Sequence, residues 1–103
     1  MIVRFNNYYL ETLYQGEQKG KPRFSEEVVI KFKKTINILK NAESSNELRL
    51  FRSLNFEQLK GGKGTKYYSV RVDIQYRLIF ELKEDQILLS EIVSIEELSN
   101  HYK

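Results

Sequence analysis

The stretch YYSVRVDIQYRLIFEL, residues 67–82, decides the fold. Tyr68, Val70 and Val72 alternate with Tyr67, Ser69 and Arg71, and Tyr76, Leu78, Phe80 and Leu82 alternate with Arg77, Ile79 and Glu81. An apolar residue at every second position is the mark of a strand with one covered face. If Val72 and Tyr76 close the hairpin around Asp73-Ile74-Gln75, paired positions sum to 148 and Val70 stands opposite Leu78. A loop longer or shorter by one residue would make that sum odd and turn half of the apolar residues to the wrong side. The same register sets Arg71 opposite Arg77 on the uncovered face.

Upstream of the hairpin, Phe56–Lys60 reads as a short strand and Gly61-Gly62-Lys63-Gly64 as a basic turn. Downstream, Lys83-Glu84-Asp85-Gln86 reads as a turn, Ile87–Ile95 as a last strand, and residues 96–103 as a short helix or tail. Toward the N-terminus the period changes to that of a helix. Ser25 caps a run in which Glu26 and Glu27 suit the first turn and Val28, Val29, Phe32, Ile36 and Leu39 recur at helical spacing. A shorter helix begins at Asn6 or Asn7, carries Leu10, Leu13 and Tyr14, and ends at Gly16. Met1–Phe5 reads as a strand, and Ser44-x-x-Glu47 resembles a capping box. The expected architecture is α+β: an N-terminal helical hairpin on one face of a twisted antiparallel sheet, with the opposite face open.

Composition limits the chemistry. The chain has 103 residues, which suits a single domain, and it has no cysteine and one histidine. Disulfides, thiolate metal sites and a cysteine nucleophile are excluded, as is any site needing two histidines. No cofactor is implied. No apolar run is long enough to cross a bilayer and residues 1–10 lack a secretion-signal core, so the expected setting is the cytoplasm, away from membranes. The net charge is only +3, but it is segregated. Residues 16–41 carry seven Lys/Arg against three acids, residues 60–77 five against one, and residues 78–103 two against six. Such a pattern fits either a solvated surface or a polyanion partner for the basic segments.

Like charges facing each other across a strand pair are unfavourable. Arg71 and Arg77 therefore either splay into water or meet a carboxylate such as Glu81, or else hold an anion between two guanidinium forks. Lys60, Lys63, Lys66 and Tyr67 lie near the same face, and cations mixed with exposed aromatics suit single-stranded RNA. The glycine turn is not a phosphate-binding P-loop, because no helix follows it. His101 is the one group that titrates near neutrality without help.

The segments Leu59-Lys60-Gly61, Tyr68-Ser69-Val70-Arg71-Val72 and Tyr76-Arg77-Leu78-Ile79-Phe80, in this order and spacing, resemble the bacterial RelE/ParE toxin superfamily, and within it the HigB (host inhibition of growth) branch. The resemblance implies a toxin of a type II toxin–antitoxin system that cuts messenger RNA on the ribosome without a metal. It also implies silencing by a cognate antitoxin, in this branch a helix-turn-helix, HigA-like protein from the adjacent gene. Carried over by position, Arg71 and Arg77 match the family's basic sheet residues and Lys60 its basic loop residue. Glu57 stands where HigB-like proteins often have histidine. The usual acid–tyrosine–histidine ending appears here as Asn100-His101-Tyr102. The implied catalytic set is thus Arg71 and Arg77 with His101, Tyr102 and Glu57 competing for the acid and base roles; Lys60, Lys63, Lys66 and Tyr67 would bind RNA. Two other readings remain: a ParE-like gyrase poison that needs no RNA-cleaving groups, and an inactive member that only binds antitoxin.

Overall fold

The structure, a computed structural model, describes residues 1–60 and 66–100. The glycine turn with Lys63, and His101 and Tyr102, lie outside the described residues. The elements in chain order are β1 (Ile2–Phe5), α1 (Tyr8–Gln15), α2 (Glu26–Asn41), α3 (Ser45–Leu48), β2 (Glu57–Gln58), β3 (Tyr67–Arg71), β4 (Arg77–Asp85) and β5 (Ser90–Ser99). A single 3₁₀ turn, Arg52–Leu54, leads into β2. No described helix is long and apolar enough to cross a membrane.

Local chemistry sets the helix ends. The Asn7 side chain accepts a hydrogen bond from the Leu10 amide, and Ser25 does the same for Val28. Gly16 takes the left-handed conformation, φ 75°, that closes α1. The Ser44 motif behaves differently from a capping box. Its hydroxyl makes no capping bond, and Glu47 accepts instead from the Glu43 amide.

Both long helices bury their apolar stripes in one core. Leu10 and Leu13 of α1 and Phe32, Ile36 and Leu39 of α2 meet Val70, Leu78, Phe80, Val93 and Ile95 of the sheet. Complete burial of a side chain such as Leu78 or Phe80 stabilises by about 1.5–3 kcal/mol relative to exposure, so this one face supplies most of the driving force. The rings of Phe56, Tyr68 and Phe80 stack along it, at 5.4 Å between Phe56 and Tyr68.

The sheet has five strands in the order β1-β5-β4-β3-β2. The β3–β4 register is the one expected: Val70 pairs with Leu78, Tyr68 with Phe80 and Arg71 with Arg77. Asp73-Ile74-Gln75 forms the loop, with the Asp73 carboxylate accepting from the Gln75 and Tyr76 amides at 2.8 and 2.7 Å.

Three expectations need correction. The sheet is mixed rather than wholly antiparallel, because β1 joins the edge of β5 in parallel. The last strand is displaced: Ile87–Leu89 lie in an exposed turn held by the Asp85 carboxylate, and β5 runs from Ser90 to Ser99. Residues 96–99 are therefore strand rather than helix or tail. The cause is a bulge at Glu96. Ile79 pairs with Glu97 but Phe80 pairs with Ile95, so β5 carries one extra residue. That extra residue has a use, since its backbone carbonyl accepts from Asn7 Nδ2 at 3.1 Å and its carboxylate from Asn6 Nδ2 at 2.8 Å. The bulge ties the start of α1 to the sheet and sets Ser99 opposite Arg77.

Candidate functional site

The face of the sheet turned away from the helices bears Glu57, Tyr67, Ser69, Arg71, Arg77, Ile79, Glu81 and Ser99, all by strand alternation from the registers. Much of it is not open. Ser69 is fully buried, and Arg77 and Glu81 are 5% and 8% exposed. Buried charges require partners, and each of these two has them.

Arg77 donates from Nε to Ser69 Oγ at 3.0 Å and from Nη2 to the Asn55 carbonyl at 2.6 Å, with Glu57 Oε1 at 3.5 Å from the same nitrogen. Asn55 presents that carbonyl from a left-handed conformation, φ 45°, which asparagine tolerates better than most residues. The guanidinium is thus a strut joining the 3₁₀ turn, β2 and β3. Burial pulls it below its ordinary pKa; the Glu57 carboxylate opposes that shift and the like charge of Arg71 adds to it. Glu81 sits between Lys66 Nζ at 3.3 Å and Lys83 Nζ at 3.2 Å. Burial alone would raise its pKa, but these two ammonium groups hold it below the usual carboxylate value.

The opposed arginines therefore separate. Arg77 turns inward and is taken up by Glu57, while Arg71 remains exposed and makes no hydrogen bond or ion pair among the described residues. The carboxylate that relieves the repulsion is Glu57, not Glu81, which its lysines already occupy. Both arginines line a cleft of ≈ 120 Å³, together with Asn55, Asp73, Ile74 and Gln75. At about 30 Å³ per water, its volume is that of a few waters or one phosphoryl group. Glu57 Oε1 is buried and accepts no hydrogen bond among the described residues; it faces Arg77 Nη2 across the 3.5 Å ion pair.

Of the remaining sequence-derived residues, Lys60 is exposed just after β2, Tyr67 is 39% exposed on β3, and Lys66 shares its charge with Glu81. Sequence reasoning missed Ser69 and Asn55 as partners of Arg77. Ser69 was within reach of the register argument, since it shares a face with Arg71; Asn55 was not, because nothing local brings its carbonyl to β4. A cation-lined cleft beside Arg71, with Lys31 and Lys34 contributed by α2, was also missed.

A HigB-like toxin family, described as the RelE-like toxin of the type II toxin–antitoxin system HigB, matches residues 3–93. The chain belongs to this family. It is thus a member of the RelE/ParE superfamily and a toxin of the type II class. No curated protein matches it. Among solved structures it resembles a YoeB/ParE toxin from Agrobacterium tumefaciens, at 17% identity and TM-score 0.59, over 99% of this chain and 100% of that one. It also resembles the YoeB dimer from Staphylococcus aureus, at 21% identity and TM-score 0.54, and the YoeB–YefM complex from the same organism, at 22% and 0.55. Each of these two alignments covers 99% of this chain and 98% of the other. At such identities the likeness shows a shared fold.

Proposed function

We propose that this toxin is a metal-independent endoribonuclease that cuts messenger RNA during translation. The observation that carries the reading is an exposed Arg71, without an ion pair among the described residues, on the same face of the sheet as the half-buried Glu57 carboxylate. In the proposed reaction Glu57 takes the proton of a ribose 2′-hydroxyl, whose oxygen forms a bond to the adjacent phosphorus. The bond from phosphorus to the 5′-oxygen breaks, and that oxygen is protonated as it leaves. The products are a 2′,3′-cyclic phosphate and a 5′-hydroxyl. Arg71 neutralises the charge that grows on the phosphoryl oxygens. Arg77 acts as a positioning residue, because its Nη2 holds both Glu57 and the 52–55 turn in place.

His101 is assigned as the proton donor to the leaving oxygen and Tyr102 as a stacking residue. They follow Ser99, which pairs with Arg77, by two and three residues in the sequence. Tyr67 offers a second stacking ring, and Lys60 and Lys63 neutralise backbone phosphates, with Lys66 a weaker contributor. Dependence on the ribosome follows from the small acid–base complement, since a substrate held in line supplies much of the rate. A cognate HigA-like antitoxin from the adjacent gene would silence the toxin; the Staphylococcus aureus neighbour is itself a complex with YefM.

The test is cleavage of a translated transcript by purified toxin, mapped by primer extension. Arg71→Ala is expected to reduce the rate by about 10²-fold or more. Uncut transcripts together with DNA-damage signalling in expressing cells would replace this reading with a gyrase poison.

A further inference from the structure

Arg71 lines two clefts. One is the small cleft it shares with Arg77. The other, ≈ 500 Å³, passes from the β3–β4 turn to α2. Lys31 and Lys34, three residues apart on one helix face, stand with Arg71 as its cations, while Ile38, Leu54 and Ile74 make it largely apolar. Lys31 is paired with Glu27 at 3.2 Å, but Lys34 is exposed and has no ion pair among the described residues. The acid in the lining, Asp73, has one oxygen engaged by two amides of its own turn. Ile74 is 96% exposed, an isoleucine at a loop tip that is left uncovered by the described residues.

We propose that this cleft is a second RNA subsite, which takes the nucleotide next to the one at the small cleft. Apolar floor and cationic rim match the two halves of a nucleotide: a base to cover Ile38, Leu54 and Ile74, and a phosphate for Lys34 and Lys31. The size falls within the range of small-ligand pockets. An acidic peptide would satisfy the lysines but brings no flat apolar body to the floor. Covalent continuity also favours RNA, since a strand whose phosphate lies on Arg71 must place its neighbouring nucleotide within one step of that residue. The inference rests on the proposed RNA reading and extends it: the strand would bend around the hairpin turn instead of staying on the sheet face.

The experiment measures binding of a fluorescent ten-nucleotide RNA carrying 2′-O-methyl groups, which cannot be cut by the proposed route, as a function of salt. Each phosphate neutralised on a single strand adds about 0.7 to the steepness of the log–log salt plot. K31Q/K34Q, which loses one phosphate contact, should therefore be shallower by about 0.7, so that between 50 and 200 mM salt its affinity falls about 2.6-fold less than that of wild type. Lys40→Gln, outside the cleft, should keep the wild-type slope. Ile74→Ser should weaken binding with the slope unchanged, because it removes apolar cover and no charge. Equal slopes for wild type and K31Q/K34Q would overturn the proposal while cleavage of translated transcripts leaves the RNA reading standing. Absence of both RNA binding and cleavage would overturn both. Loss of binding to an acidic peptide from the antitoxin, with RNA binding unaltered, would assign the cleft to protein.

Discussion

Both faces of the β3–β4 hairpin bury side chains, and they do so by different physics. On the helix side Val70, Leu78 and Phe80 have no exposure and sit within the apolar core. On the other side Ser69, Arg77 and Glu81 are almost as inaccessible, yet every one of them is polar. The apolar face gains free energy from each methylene removed from water and asks little of geometry. The polar face gains little net energy, because desolvation offsets most of the attraction between its charges. It holds a specific arrangement instead, in which one arginine is fixed and its cross-strand partner has no ion pair among the described residues.

The largest expected effect is on the apolar face. Phe80→Ala removes the ring that stacks with Phe56 and Tyr68 and should cost about 4 kcal/mol, read from urea melts; a loss under about 1 kcal/mol would mean that the core had closed over the gap. Next comes Arg77→Met, which keeps bulk but strands Glu57 and the Asn55 carbonyl. It should cost about 3 kcal/mol, and the double variant with Glu57→Leu should recover a large part of that. Failure of the second change to recover stability would show that the strut to Asn55 and Ser69, not the ion pair, carries the energy.

Glu81→Gln is smaller, about 1 kcal/mol at neutral pH. Its sign with pH follows from the lowered carboxyl pKa. The stabilisation from Lys66 and Lys83 is present above the ordinary value of 4.5 and is lost as pH falls below that toward the folded-state value. The stability gap between wild type and Glu81→Gln should therefore close on acidification, and a gap that widened instead would contradict the paired arrangement. The smallest effect is on Arg71→Ala, which should alter stability by no more than about 0.5 kcal/mol while greatly reducing RNA cleavage. A large destabilisation would mean that Arg71 is a second structural arginine and the contrast between the two is false.

The hairpin register was legible because its alternation runs unbroken from Tyr67 to Leu82 with an odd loop between. The β5 strand was not, for the same reason turned around. Val93, Ile95 and Leu98 all face the core, but the step from 95 to 98 breaks the period of two, so the pattern ends at Ile95 unless a bulge is allowed. The direction of β1 was likewise invisible, since four residues of alternating character fit a parallel or an antiparallel edge equally well.

The sequence by itself determined the two long helices with their caps, the hairpin and its register, and hence the confrontation of Arg71 with Arg77. These depend on contacts between residues near in the chain, whose spacing is written in the order of side chains. Only the tertiary structure decided which arginine is locked. Glu57 and the Asn55 carbonyl come to Arg77 from twenty residues or so upstream, and a buried guanidinium takes whichever acceptors the fold leaves unpaired. The same holds for the cleft between α2 and the hairpin turn. Helical spacing sets Lys31 and Lys34 on one face, but the packing of α2 on the sheet is what brings that face beside Arg71.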